Sequence, residues 1–173
     1  MTSGKGWSHI NLGTLDIGAT RAFYEGILGF RVVRCDIIKV KEGGEIHHVF
    51  FDTGQKQLLA FMSPRGVPGA PTEFDGGINE KMGMPEGVYH FAFEAGSAAE
   101  LAARRSELIA KGVKVTPVVD HEWADSIYFK DPNGLLLEYS YQKREFNDND
   151  GIMQVRFEMS FGEESPITDF RDE

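Results

Sequence analysis

Cysteine is nearly missing from this chain: Cys35 is the single one in 173 residues. A lone thiol excludes an internal disulfide framework and fits a reducing compartment. Within RVVRCDIIKV it reads as a strand position, not as a nucleophile. Long apolar runs are missing too. None approaches the ~18 residues that span a bilayer, and MTSGKGWSH has no signal-peptide apolar core. Basic runs are also lacking. With a net charge of −9 and a pI of about 5.1, the chain suits neither nucleic acid nor an anionic membrane. The expected setting is the cytoplasm, and the expected partner is a small molecule.

What is present is a pattern that occurs twice. Residues 7–15 read as a strand, and 19–28 as a helix, with Ala19, Ala22, Phe23 and Ile27 at helical spacing. Asp16 is placed to cap that helix and Gly29 to end it. Strands follow at 30–40, 46–52 and 57–62, with Gly43-Gly44 as a turn. The second half repeats the order. Residues 88–94 (VYHFAFE) form a strand, Ser97 and Glu100 a capping box, and a helix runs to about Lys111, where Gly112 stops it. A strand at 113–119 precedes the hairpin SIYFKDPNGLLLEYSY, residues 126–141, whose Asp131-Pro132-Asn133-Gly134 is turn chemistry.

Both halves therefore read β-α-β-β-β, and they overlay. His9 in WSHINL meets His90 in VYHFAF; VFFDTGQKQLLAF lies over IYFKDPNGLLLEY without a gap. Glu138 then falls on Ala60, Tyr128 on Phe50 and Ser126 on His48. Two repeats are too few for a solenoid. The expected fold class is α+β, with two pseudo-symmetric βαβββ modules (7–62 and 88–141) packed about a pseudo-twofold axis and forming a cupped mixed sheet. Residues 63–87, with four Pro and six Gly, are the connection and a candidate lid. Residues 142–173 are a C-terminal extension. Ile152, Val155 and Met159 are spaced for one short helix from near Asp148, and the last dozen residues should fray.

Strand alternation puts residues two apart on one face. His9 shares a face with Asn11, His90 with Ala92, and Glu138 with Tyr128 and Leu136. A lone strand histidine is more often a satisfied core residue. Two at repeat-equivalent positions, with a carboxylate directly after the apolar run Leu135-Leu136-Leu137, favour a ligand set. Two imidazoles and one carboxylate with open positions suit Fe(II), and also Mn(II) or Zn(II). His48 shares the parity of Phe50 and faces inward; His47 faces outward.

The stretches SHINLGTLDIGATRAFYEGILGF, VYHFAFE and above all SIYFKDPNGLLLE resemble the vicinal oxygen chelate superfamily, the glyoxalase/bleomycin-resistance/dioxygenase family. The resemblance runs from about residue 7 to 141. It implies paired βαβββ modules around a divalent metal held by His9, His90 and Glu138. The fourth ligand of glyoxalase I would fall on Ala60, which cannot coordinate, leaving a three-ligand set as in extradiol dioxygenases. The resemblance further implies that Tyr128 hydrogen-bonds the substrate and that His121, in VVDHEWADSIYF, lines the pocket. The acid–base histidine that ring-cleavers carry before the second ligand has no counterpart in EFDGGINEKMGMPEG, and His48 is the substitute candidate. Asn11, Phe50 and Trp123 are the expected substrate contacts; Trp123, Phe50 and Phe61 read equally as an apolar wall for a planar ring or as core. The leading expectation is an Fe(II) extradiol-type dioxygenase that takes O2 and a small catechol-like compound, assembled as a homodimer. The alternatives are a redox-neutral glyoxalase-like isomerase or lyase using Mn, Zn or Ni, and a metal-free drug-binding resistance protein.

Overall fold

Each half of the chain builds a four-stranded mixed sheet, and both sheets have the same strand order. The structure, a computed structural model, describes residues 6–73, 77–156, 158–160 and 165–170. It divides into two units, Met1–Gly76 and Gly77–Glu173.

In the first unit β1 (His9–Gly13) leads into α1 (Ile17–Arg21), which continues as a wider π-helical turn over Ala22–Ile27. Asp16 caps the helix, its carboxylate accepting from Ala19 N at 2.9 Å. The helix thus begins two residues before the expected 19, and its second half differs in pitch. Leu28 N donates to Phe23 O, five residues back, at 2.9 Å. Through this turn the sequence neighbours Phe23 and Tyr24 are both buried. Next come β2 (Arg31–Lys39), β3 (Glu45–Gly54) and β4 (Gln57–Arg65). They run antiparallel, and β1 lies parallel beside β4, giving the order β1-β4-β3-β2. At the β2–β3 turn only glycine fits: Gly44 has φ +76, and a Cβ there would fall 2.4 Å from the Gly66 carbonyl carbon.

Alternation decides which side chains meet the helix. Phe51 and Phe61 do, with ring centroids 5.4 and 4.9 Å from Tyr24. Phe61 therefore belongs to the core and not to an apolar wall beside Phe50. Its sequence neighbour Ala60 points the other way, opposite Phe50 on β3 and Asn11 on β1.

The second unit contains α2 (Ile78–Lys81), β5 (Phe91–Glu94), α3 (Ala98–Ala110), β6 (Val119–Asp120), β7 (Ala124–Lys130) and β8 (Leu136–Gln142). Its sheet order is β5-β8-β7-β6, again with the first strand parallel to the last. Ser97 accepts from Glu100 N at 3.1 Å, and the Glu100 carboxylate reaches back to Gly96 N. The β7–β8 turn closes on Asp131, whose Oδ1 accepts from Asn133 N and Leu135 N at 2.8 and 2.9 Å. Ile127, Phe129, Leu137 and Tyr139 are buried, as are Leu101 and Leu108 of α3. Tyr128 and Glu138 alternate with those strand residues and lie opposite each other, just as Phe50 lies opposite Ala60. The gapless overlay of the two hairpins thus holds in three dimensions.

Two expected strands are shorter than their apolar runs. In 113–119 only Val115 makes a bridge, to Phe129, before β6 begins at Val119. Thr116 N still donates to Tyr128 O at 3.0 Å, with its hydroxyl accepting from Tyr128 N at 3.0 Å, but Pro117 has no N–H to carry the ladder on. Strand β5 starts at Phe91, not at 88, because residues just before it are tied elsewhere. The helix expected near Asp148 is a single 3-10 turn, Asp148–Gly151, capped by Asn147. Of the three residues at helical spacing, Ile152 and Val155 are exposed beyond it, and Met159 packs at the edge of a cluster with Ile167 without a helix. Of the connection, residues 74–76 lie outside the described residues; of the expected frayed end, so do 161–164 and 171–173. Among the described residues no helix is long and apolar enough to cross a membrane.

Candidate active site on the second sheet

On the sheet face that carries Tyr128 and Glu138, a pocket of about 550 Å³ opens. Its lining includes His90, Ala92, His121, Trp123, Tyr128, Glu138, Ser140 and Gln142. Small Ala92 lies beside Glu138 in register across β5 and β8, and both line the pocket.

His90 stands one residue ahead of β5 and is fixed by its loop. Buried Asn79 grips the preceding residue at both backbone atoms, Nδ2 donating to Tyr89 O at 2.8 Å and Oδ1 accepting from Tyr89 N at 2.7 Å. The His90 ring places Nδ1 2.8 Å from Gly87 O, so that nitrogen carries the proton. The other, Nε2, lies 3.0 Å from Glu138 Oε2. The bond to Glu138 raises His90 above its ordinary pKa against the desolvation of the ring, and the Gly87 carbonyl adds to the rise. Burial works to raise Glu138, yet bonds from His90 and Ser126 hold its carboxyl below the usual carboxylate value.

His121 comes from the tight turn between β6 and β7. Glu122 sits there at φ +66, a left-handed conformation uncommon for glutamate. Asp120 accepts from Glu122 N, His121 N bonds Ala124 O, and Lys143 N bonds Trp123 O. This framework turns both His121 and Trp123 into the pocket lining. The His121 Nε2 lies 2.9 Å from the Tyr128 hydroxyl. Desolvation lowers the pKa of His121, and burial together with the Glu138 charge raises that of Tyr128. At neutral pH the pair is a neutral imidazole beside a protonated phenol.

The remaining expected residues lie in the first unit. On one sheet face His48 Nε2 bonds Asn11 Oδ1 at 3.0 Å, and Phe50 sits between imidazoles, with centroids 4.1 Å from His48 and 5.7 Å from His9. Desolvation lowers the His48 pKa. His47 faces away and bonds Glu45 Oε1 at 2.7 Å. The structure thus groups His90, His121, Trp123, Tyr128 and Glu138 in one pocket, and His9, Asn11, His48 and Phe50 on one face. Asn79, buried Ser126 and half-buried Ser140, the two hydroxyls 3.1 Å apart, were not foreseen as site residues. Ser126 and Ser140 had one usable signal, their pairing two residues along from Tyr128 and Glu138.

Among the described residues no group of three or more His, Cys, Asp or Glu is gathered for a metal ion. The donor chemistry of His90 and Glu138 nonetheless fits a divalent cation. An imidazole whose far nitrogen is held by a backbone carbonyl, beside a buried carboxylate, is the oriented arrangement such ions take. Binding would displace the proton that His90 shares with Glu138.

Comparisons with known proteins agree on the fold. The model of the Glyoxalase/Bleomycin resistance protein/Dioxygenase superfamily matches residues 6–139. No curated protein sequence matches the chain. A glyoxylase/bleomycin resistance protein/dioxygenase domain from Frankia sp. EAN1pec is similar with a TM-score of 0.60 at 18% identity, covering 82% of this chain and 100% of its own. A lactoylglutathione lyase from Agrobacterium tumefaciens gives 0.55 at 24%, covering 81% and 96%. An antibiotic binding protein from Streptomyces sp. CB03234 gives 0.56 at 15%, covering 83% and 100%.

Proposed function

Because the chain belongs to the Glyoxalase/Bleomycin resistance protein/Dioxygenase superfamily, we propose that it is a divalent-metal-dependent enzyme that acts on a small substrate bearing two neighbouring oxygens. The reaction is redox-neutral, of the lyase or isomerase class, with Mn(II), Zn(II) or Ni(II) at His90 and Glu138. The observation that carries this reading is the His121–Tyr128 hydrogen bond of 2.9 Å in the same pocket as the His90–Glu138 pair. Lyase and isomerase steps consist largely of proton transfers, which need one group to take a proton and one to give it. Neutral His121 serves as the base. Protonated Tyr128 serves as the donor to an oxygen that gathers charge, and Trp123 lies against the body of the substrate. When bound, the metal supplies Lewis acidity to the two oxygens.

The experiment starts from metal-free protein. Titration with each metal, repeated on His90→Ala and Glu138→Ala, tests the ligands; loss of tight binding in each is expected, and full occupancy in either sinks the pair. Turnover of two-oxygen substrates is then followed anaerobically. Product without O2 supports the proposal. Oxygen uptake found only with Fe(II) would replace it with the dioxygenase, on the same residues.

One observation favours a second reading. His90 Nε2 and Glu138 Oε2 stand 3.0 Å apart as an ion pair, a contact that a metal-free pocket can keep. The antibiotic binding protein among the similar structures gives that reading its form: a sequestering module that holds an apolar ligand in the pocket. Ligand binding unaffected by a chelator, with no turnover, would establish it.

A further inference from the structure

The pocket is shorter than the face on which it lies. Along β7 and β8 the pairs on that face run Ser126 with Ser140, Tyr128 with Glu138, and Lys130 with Leu136. The pocket takes Tyr128, Glu138 and Ser140. Leu136 of the last pair is covered by the C-terminal segment. Ile167 is 4% exposed and packs with Tyr128, Leu136 and Val119, with Met159 and Phe170 at the edge of the cluster. The Lys130 ammonium stands 5.8 Å from the centroid of the Phe170 ring. Tyr128 consequently has the pocket on one side and Ile167 on the other. The segment lies beyond residues 6–139, the part that matches the family model, so this filling belongs to the chain's own extension.

We propose that residues 165–170, centred on Ile167, form the end wall of the substrate pocket and set the upper size of the substrate. This rests on the reading that the pocket takes a compound with two neighbouring oxygens. The wall admits a compact molecule with one ring's worth of apolar body and rejects one extended along the strands past Tyr128. Without it the groove would lengthen by one residue pair, two strand residues or roughly 7 Å, enough for a further six-membered ring.

The test is binding, independent of turnover. Mn(II)-loaded full-length protein is titrated calorimetrically with catechol and with 4-phenylcatechol, which carry the same oxygen pair and differ by one ring. The native protein is expected to prefer catechol by about tenfold or more, the scale on which an apolar pocket discriminates size. In Ile167→Ala the preference should collapse to within about threefold, through tighter 4-phenylcatechol binding with catechol binding unchanged. Phe170→Ala, at the edge of the cluster, is the milder variant and should give an intermediate ratio; it decides the matter if Ile167→Ala does not fold. Equal binding of both probes by the native protein, or the native ratio in a folded variant, overturns the wall. Absence of catechol binding by the native protein overturns instead the two-oxygen reading beneath it.

Discussion

Tyr128 is the side chain on which the most arguments converge. It faces Glu138 across the hairpin, bonds His121, and packs against Ile167. Tyr128→Phe removes only the hydroxyl, so fold and metal binding should persist while turnover falls. A positioned hydrogen bond to a charged group is worth about 1.5–3 kcal/mol, or about tenfold to a hundredfold in rate; steady-state kinetics beside a thermal melt checks both halves. Tyr139, on the core face of the same strand with Arg104 over its ring, tests the effect of burial. Its phenol is pushed up to about 12 by desolvation, against an ordinary value near 10. The raised folded value means a contribution fully present below about pH 10 and lost as pH rises to about 12, on the order of 2–3 kcal/mol. Phenolate absorbance during alkaline titration should show a late step that Tyr139→Phe removes, and urea midpoints should fall across that window.

At the scale of elements, what holds the site is loop chemistry as much as the sheet. The Asn79 amide occupies both backbone atoms of Tyr89, which keeps β5 from starting earlier and presents His90 at its head. Asn79→Ala would remove both bonds to the Tyr89 backbone, costing about 0.5–1.5 kcal/mol each. Hydrogen exchange at Tyr89 should quicken, while the amides of β7 and β8 stay protected. The hairpin was legible from the sequence because its turn is made by Asp131 and Gly134 themselves, with bonds spanning four residues. The start of β5 was not, because the competing partner lies ten residues upstream in a stretch that reads as glycine- and proline-rich connection. The interruption before β6 had a visible cause in Pro117, but the β-branched run Val113 to Val119 outweighed it in a reading by pattern.

At the scale of the whole molecule, the duplication is complete in topology and incomplete in chemistry. Each unit has the same strand order and the same facing pair in its hairpin, yet the first carries Phe50 and Ala60 where the second carries Tyr128 and Glu138. Ala60 is fully buried beside Phe50 and Asn11. Ala60→Glu would place a carboxylate on the face that carries His9 and His48, so the charge finds imidazoles but the larger side chain enters a fully buried site. The expected loss is about 1–3 kcal/mol, as for overpacking, read from denaturant unfolding; an unchanged midpoint would show that the position already accommodates the side chain.

The sequence by itself determined the doubled βαβββ order, the pairing of the two hairpins, the Asp16 and Ser97 caps, and the residues that share a face with Glu138. All of these rest on spacing of 2 or 3.6 residues or on bonds within a few positions, which a linear reading contains. Only the tertiary structure decided that Phe61 is core, that His121 reaches the Tyr128 hydroxyl, that Asn79 holds the His90 loop, and that Ile167 packs against Tyr128 and Leu136. Those contacts join residues whose separation along the chain carries no periodic signal, and they exist only once the sheet has brought distant backbone into register.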